Sequence, residues 1–351
     1  MPEWDGQLFT AAVLRAVGLS VALEPQRGSS LHIGVVFPHE AVGSDTDAIR
    51  LYVETIYDLG YDHLLAYDHV TGVDRSVHSS FVETARRGGA VSSAPYDVNS
   101  TFHEVMVLFG FIAGIAPIEL VTGVLVLPQR ATALVAKQAA EVDILSGGRL
   151  RLGVGIGWNS LEFRSLGAEF IGRGARIEQQ IDLLRRYWVE PSVNVSSKHD
   201  WAQGMGLRPP PKQRPIPVWL GSGGNARALD RVGRLADGWI PMPAADLEII
   251  GRQLRLVRDS ACRAGRAPQS VGVQGRVVMA HGRVAQLLHE VDAWRSLGAT
   301  HVALTTDAAG FGVGAHLAVL AEAADALQLR VHKKAIEHTG LMSGLAGEEH
   351  S

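Results

Sequence analysis

The chain predicts an α/β fold, a closed (β/α)8 TIM barrel, on three observations. Between residues 31 and 330 short β-type runs alternate with helical patterns, eight such runs occur, and each is followed by a helix with no long all-β or all-α block. A length of 351 residues with 46% hydrophobic residues supplies the apolar material for one large core.

The elements follow in order. LHIGVVF (31–37) reads as the first strand, and Ile49, Val53, Ile56 and Leu59 then fall on one helical face that stops at Gly60. YDHLLAY (61–67) is the second strand, separated by a Gly/Ser-rich stretch from a helix over 102–116. IELVTGVLVLP (118–128) is the third, and the helix over 131–145 ends at Gly147-Gly148. RLRLGVGIG (149–157) is the fourth; a helix from residue 172 carries Ile177, Ile181, Leu184 and Trp188 on one stripe. IPVWLGS (216–222), DGWIPM (237–242), SVGVQGRVVMA (270–280) and THVALTT (300–306) complete the set, with helices ending near 235, 264, 297 and 329. Residues 70–100 and 190–215 exceed the length of tight joints and are expected to be inserted lid segments.

Composition narrows the function. With 33 basic against 36 acidic residues the chain has no electrostatic footprint for a phosphate backbone, so nucleic acid is not an expected partner. The single cysteine, Cys262, excludes an internal disulfide framework and fits the cytoplasm; redox chemistry must then come from a cofactor. Residues 1–30 are expected to be an N-terminal extension, because the apolar stretch from 8 to 23 is interrupted by Arg15 and lacks the basic start of a signal peptide. No membrane association is expected. Residues 31–330 form the barrel domain, and 331–351 read as a flexible tail.

A barrel of this kind works at the carboxyl ends of its strands. Those ends here carry Phe37-Pro38-His39, Tyr67-Asp68-His69, Gln129-Arg130, Trp239 and Thr305-Thr306, besides two glycine-rich turns. In the first turn Gly153, Gly155 and Gly157 recur with period two. They leave room either for a flat group to approach the backbone or for bulky neighbours to interdigitate. Trp158 and Asn159 follow as a wall and an amide. In the second, Gly221-Ser222-Gly223-Gly224-Asn225 runs from a strand into a helix, which suits a phosphate at the helix start or an ordinary capped turn. His69 is placed to move a proton, whereas His63 and His301 sit near strand starts and are expected at the stabilising face. No His-x-His occurs, and His and carboxylates do not gather at strand ends, so no metal site is expected.

Several segments, in chain order, resemble the luciferase-like monooxygenase superfamily, and within it the branch that uses the deazaflavin coenzyme F420. They are YDHV (67–70), LVTGVLVLPQR (120–130), the run from ALVAKQAAEVDIL to FRSLG (133–167), RGARIEQQIDLLRRYW (173–188) and the run from RPIPVWLGSGG to ADGWIP (214–241). The resemblance implies a bacterial-luciferase-like TIM barrel. Asp68 and His69 would border the deazaflavin ring, with His69 catalytic and Asp68 orienting it. Thr122, Gly123, Val124, Gly155, Gly157 and Asn159 would line the ring pocket, with a non-prolyl cis peptide at Gly123-Val124. Gly221, Ser222, Gly223 and Gly224 would hold the phosphate. Trp158 would wall the substrate, a small organic molecule. The F420-dependent glucose-6-phosphate dehydrogenases have an acid near the position of Trp158, which an indole cannot replace, so sugar-phosphate chemistry is not carried over. The implied reaction is hydride transfer between F420 and substrate. An FMN-dependent monooxygenase using dioxygen, or a non-catalytic flavin-binding barrel, would share these features. The resemblance also suggests a homodimer packed through barrel helices.

Overall fold

The computed structural model describes residues 31–78, 96–242, 246–306 and 312–330. The expected N-terminal extension, the tail and much of the first long insertion lie outside these residues. Strand β1 (His32–Val36) leads through a one-turn helix α1 (His39–Val42) into α2 (Thr46–Asp58). Asp45 starts α2 by accepting the N–H groups of Asp47 and Ala48, two donors the helix cannot satisfy itself. Then follow β2 (His63–Ala66), α3 (Val105–Ala113), β3 (Glu119–Thr122), β4 (Leu125–Val126) and α4 (Thr132–Leu145). Next come β5 (Leu150–Gly155), α5 (Ser160–Ser165), α6 (Arg173–Val189), β6 (Val193–Ser196) and β7 (Trp201–Met205). The chain continues with β8 (Val218–Ser222), α7 (Ala226–Leu235), β9 (Gly238–Pro241) and α8 (Leu247–Arg263). It ends with β10 (Gly272–Met279), α9 (Val284–Leu297), β11 (His301–Thr306) and α10 (Val313–Ala326).

The sheet runs β3-β2-β1-β11-β10-β9-β8-β5, and parallel pairing of β3 with β5 closes it into a barrel of 8 strands. The fold expected from the alternation is therefore the fold observed. Two details go beyond it. The run 118–128 is one strand by composition, yet it breaks into β3 and β4 at Gly123–Val124, where the peptide bond is cis, and β4 pairs with β5. The second insertion contains an antiparallel hairpin, β6–β7, followed by cis bonds at Arg208–Pro209 and Arg214–Pro215.

Strand alternation divides the core into two. One large apolar cluster fills the shell between strands and helices, and a smaller one, Val36, Leu65, Val121 and Ala303 with Tyr67 against it, fills the barrel interior. Below that inner layer, at the strand starts, the filling is polar. Arg151 donates to Glu119 at 3.1 and 2.9 Å and to Gln274 at 2.9 Å, and its guanidinium carbon lies 4.4 Å from the Trp219 ring centroid. His63 and His301 complete this plug, with ring centroids 5.7 Å apart. Above the inner layer the barrel opens: Val278, on the same face of β10 as Gln274, is 54% exposed. The closed end is the amino end and the open end is the carboxyl rim.

Candidate functional site

At the rim, His69 follows β2 and is flanked by aromatic rings, with Tyr96 at 3.8 Å and Phe102 at 4.9 Å between centroids. Trp158 stands edge-on to Tyr96 at 5.8 Å. His69, Trp158 and this wall therefore meet at one side of the mouth. Asp68, its neighbour in sequence, faces elsewhere. It is buried; Oδ1 accepts from Arg130 at 2.7 Å and Oδ2 from the Val126 N–H at 3.0 Å. Burial raises its carboxyl above the usual range, although Arg130 and the Val126 N–H pull the other way. Asp68 ties β2 to the chain just past the bulge at Gly123–Val124.

The carboxylate that faces His69 is Glu162, on α5. Its Oε2 lies 3.9 Å from His69 Nδ1, beyond hydrogen-bond length. Its Oε1 accepts from the N–H groups of Val70 at 2.6 Å and Thr71 at 3.2 Å, and Oε2 accepts from Gln129 Nε2 at 3.2 Å. Burial opposes ionisation of this carboxyl, but His69, the Val70 N–H and Gln129 together hold its pKa below the usual value. The reading of the sequence did not single out Glu162. Its signal was present as a capping box, with Asn159 at the N-cap and glutamate three residues on. Asn159 is buried; Oδ1 accepts from the N–H groups of Leu161 and Glu162, and Nδ2 donates to Tyr96 Oη at 2.9 Å. It fastens the start of α5 to the aromatic wall.

The glycine ladder of β5 has a concrete use inside the chain. A Cβ on Gly155 would lie 2.6 Å from Val124 Cγ2, and one on Gly221 2.8 Å from Val124 Cγ1. Val124, carried inward by the bulge, occupies the space those two glycines leave, and is itself only half-buried. Gly153 passes so close to Thr122 that a Cβ would lie 1.9 Å from its carbonyl oxygen; Thr122 Oγ1 in turn donates to the Gly153 oxygen. Gly157 combines a φ of +71° with contacts to Val126 and Phe163. Gly123 abuts Leu65. Bulge and ladder fit each other.

After β8 the loop is more open. Ser222 Oγ accepts from Trp239 Nε1 at 3.0 Å, and Asn225 caps α7 by accepting from the Arg227 N–H at 2.9 Å. Between them, a Cβ on Gly223 would meet nothing nearer than Met242 Cγ at 3.6 Å, whereas Gly224 lies against Gln253. His39, at the end of β1, lies 6.3 Å from the Tyr67 ring; burial, then His103 and His69, lower its pKa to about 3. Two cavities, about 460 Å³ beside Arg130, Tyr187 and Trp201 and about 500 Å³ at His32, Tyr61 and His301, touch neither His69 nor Gly223. The convergence of polar, aromatic and glycine positions is at the rim instead. Among the described residues no group of His, Cys, Asp or Glu is arranged to hold a metal, and no helix is long and apolar enough to cross a membrane.

Similarity to known proteins agrees with this geometry. A family model described as luciferase-like monooxygenase matches residues 31–343. The FMNH(2)-dependent dimethylsulfone monooxygenase of Pseudomonas putida is 28% identical over 189 residues, 53% of this chain and 51% of that one. The chain spans about half to three fifths of the length of the curated relatives it matches. Among solved structures, monooxygenase RslO1 from Streptomyces bottropensis superposes with TM-score 0.69 at 16% identity, covering 85% of this chain and 99% of that one. The coenzyme F420 dependent tetrahydromethanopterin reductase from Methanopyrus kandleri gives 0.64 at 13%, covering 86% and 100%. With the whole described barrel inside the matched range and the closed parallel sheet in place, the chain belongs to the luciferase-like monooxygenase family.

Proposed function

We propose that the chain is an F420-dependent oxidoreductase that exchanges a hydride with a small organic substrate at the carboxyl rim of the barrel. The observation that carries this reading is the open seat at Gly223, at the start of the 10-residue helix α7, on the same rim as His69. A phosphate there would meet free N–H groups and the positive end of the helix. The residues fit the group: Val124, over Gly155 and Gly221, offers an apolar floor, and Gly223 leaves room a side chain would fill.

The deazaflavin would supply hydride acceptance and donation. The protein would do the rest. Tyr96, Phe102 and Trp158 would exclude water from one side of the mouth. Glu162, held ionised, would favour the proton on Nδ1 of His69, leaving Nε2 to take or give the proton that accompanies reaction. Asp68 would act at one remove, keeping the bulge in place through Val126. The similarity to an FMNH(2)-dependent monooxygenase supports a second reading, FMN in the same seat with dioxygen as co-substrate.

Titrating the purified chain with F420 and with FMN, and following quenching of cofactor fluorescence, separates the two. Saturation by F420 alone is expected. Gly223→Asp should weaken that binding by about tenfold or more through like-charge repulsion, with the unfolding midpoint unchanged. If neither cofactor binds, or if Gly223→Asp binds as well as the parent, the reading fails.

A further inference from the structure

Arg276 lies on β10 between Gln274, which meets Arg151 inside the barrel, and the exposed Val278 of the mouth. Alternation puts all three on the inner face. Its guanidinium carbon is 5.3 Å from the centroid of Tyr67, the residue before Asp68-His69. Among the described residues it has no carboxylate partner and donates no side-chain hydrogen bond. The other arginines in reach of the interior differ: Arg151 is paired with Glu119, and Arg130 with Asp68 and Glu104. Next to it, β11 pairs Ala303 with Arg276 and Thr305 with Val278, and the Thr305 hydroxyl is buried with no hydrogen-bond partner. Two polar groups, neither with a charged or hydrogen-bonded side-chain partner among the described residues, therefore lie diagonally on adjacent strands in the wall of an open mouth.

A sheltered cation without a counter-charge is unfavourable until a ligand brings one, and a guanidinium fits a planar or tripodal oxyanion with paired hydrogen bonds. Position decides which anion. Arg276 reaches across β11 and β1 to the ring of Tyr67, two residues before His69, which places its guanidinium on the reacting side of the mouth. We propose that Arg276, assisted by the Thr305 hydroxyl, binds an anionic group of the substrate, a carboxylate or sulfonate, so that the substrate is an organic acid. The proposal rests on reading the rim as the reaction site.

Its test uses the full chain, with and without added cofactor, and shape-matched probes: benzoate against benzyl alcohol, hexanoate against hexanol. Calorimetry should show each acid binding about tenfold or more tighter than its alcohol. Arg276→Gln should abolish that preference, Arg276→Lys should keep part of it, and Thr305→Val should weaken the acids alone. Equal affinity of acid and alcohol in the parent, or a preference that survives Arg276→Gln, overturns the proposal. So does a preference that survives while Arg276→Gln selectively weakens binding of the reduced cofactor, since the anion is then the ring. Because the probes are also titrated without cofactor, failure to bind F420 or FMN counts against the proposed function and is read separately.

Discussion

His69 and Asp68 are adjacent in sequence but do different work, because one faces the mouth and the other the wall. Asp68 accepts from the Val126 N–H and from Arg130, whose side chain is only 14% exposed. Removing the carboxylate leaves the Val126 amide without its acceptor and the largely buried Arg130 guanidinium with Glu104 as its one remaining carboxylate. Asp68→Ala should therefore cost about 3–5 kcal/mol, as breaking a buried ion pair does; Asp68→Asn, which keeps an acceptor for Val126, should cost about half as much. Urea unfolding at neutral pH measures both, and equal small losses would show that Asp68 is no brace. Nothing in the chain order distinguishes the two roles: the Asp68–Arg130 and His69–Glu162 relations span 62 and 93 residues respectively, and such pairings appear only once strands are side by side.

At the scale of elements, β5 and the bulge between β3 and β4 form one unit. Gly153 and Gly223 make the contrast testable. A methyl on Gly153 meets a backbone oxygen, which cannot turn aside, whereas a methyl on Gly223 meets ordinary contact distance. Gly153→Ala should destabilise by several kcal/mol, about 3 or more by the measure of overpacked cores, and Gly223→Ala by less than about 1 kcal/mol. Thermal unfolding of the two purified variants decides it; a Gly153→Ala protein as stable as the parent would dismiss the close approach to Thr122. The fold itself was legible because alternation of apolar runs with helical stripes is a local signal, repeated along the chain. Period two also placed Gly153 and Gly155 on one face from sequence alone, whereas Gly157, expected on that face too, lies past the end of β5 at a φ of +71° and abuts Val126 and Phe163. What occupies that face was not legible: Val124 arrives there from another strand, through a bulge that composition renders as uninterrupted β. Glu162 was hidden for a similar reason, since a capping-box glutamate normally turns to its own helix start, and this one turns to Val70 and Thr71. Arg276 looked like one polar residue in an apolar run until alternation placed it inside a barrel.

Over the whole molecule the barrel has a sealed amino end and an open carboxyl end, and the two ends share a dependence on uncharged imidazole. In the plug, burial and then Arg151 push His63 far below its usual pKa and His301 to about 2; at the rim, burial with His103 and His69 takes His39 to about 3. Both ring nitrogens of His63 are buried with no hydrogen-bond partner, so a proton there would have neither solvent nor acceptor. Each of these groups is protonated in the unfolded chain below about pH 6.5 and stays neutral in the folded one, so the unfolded state binds more protons. Stability is fully present above pH 6.5 and falls as pH drops towards the folded values, at about 1.4 kcal/mol per unit for each histidine. Three such groups lose about 4 kcal/mol per unit together, enough to exhaust an ordinary domain's 5–15 kcal/mol within about one to four units. The urea midpoint should be level from pH 7.5 to 8.5 and collapse between pH 6 and 4. His63→Gln, lacking a titrating group, should make that slope shallower by about a third even if its stability at pH 8 is lower. A midpoint that holds steady from pH 7 to 5 would mean that the plug opens to admit protons, and that the amino end of the barrel is not sealed.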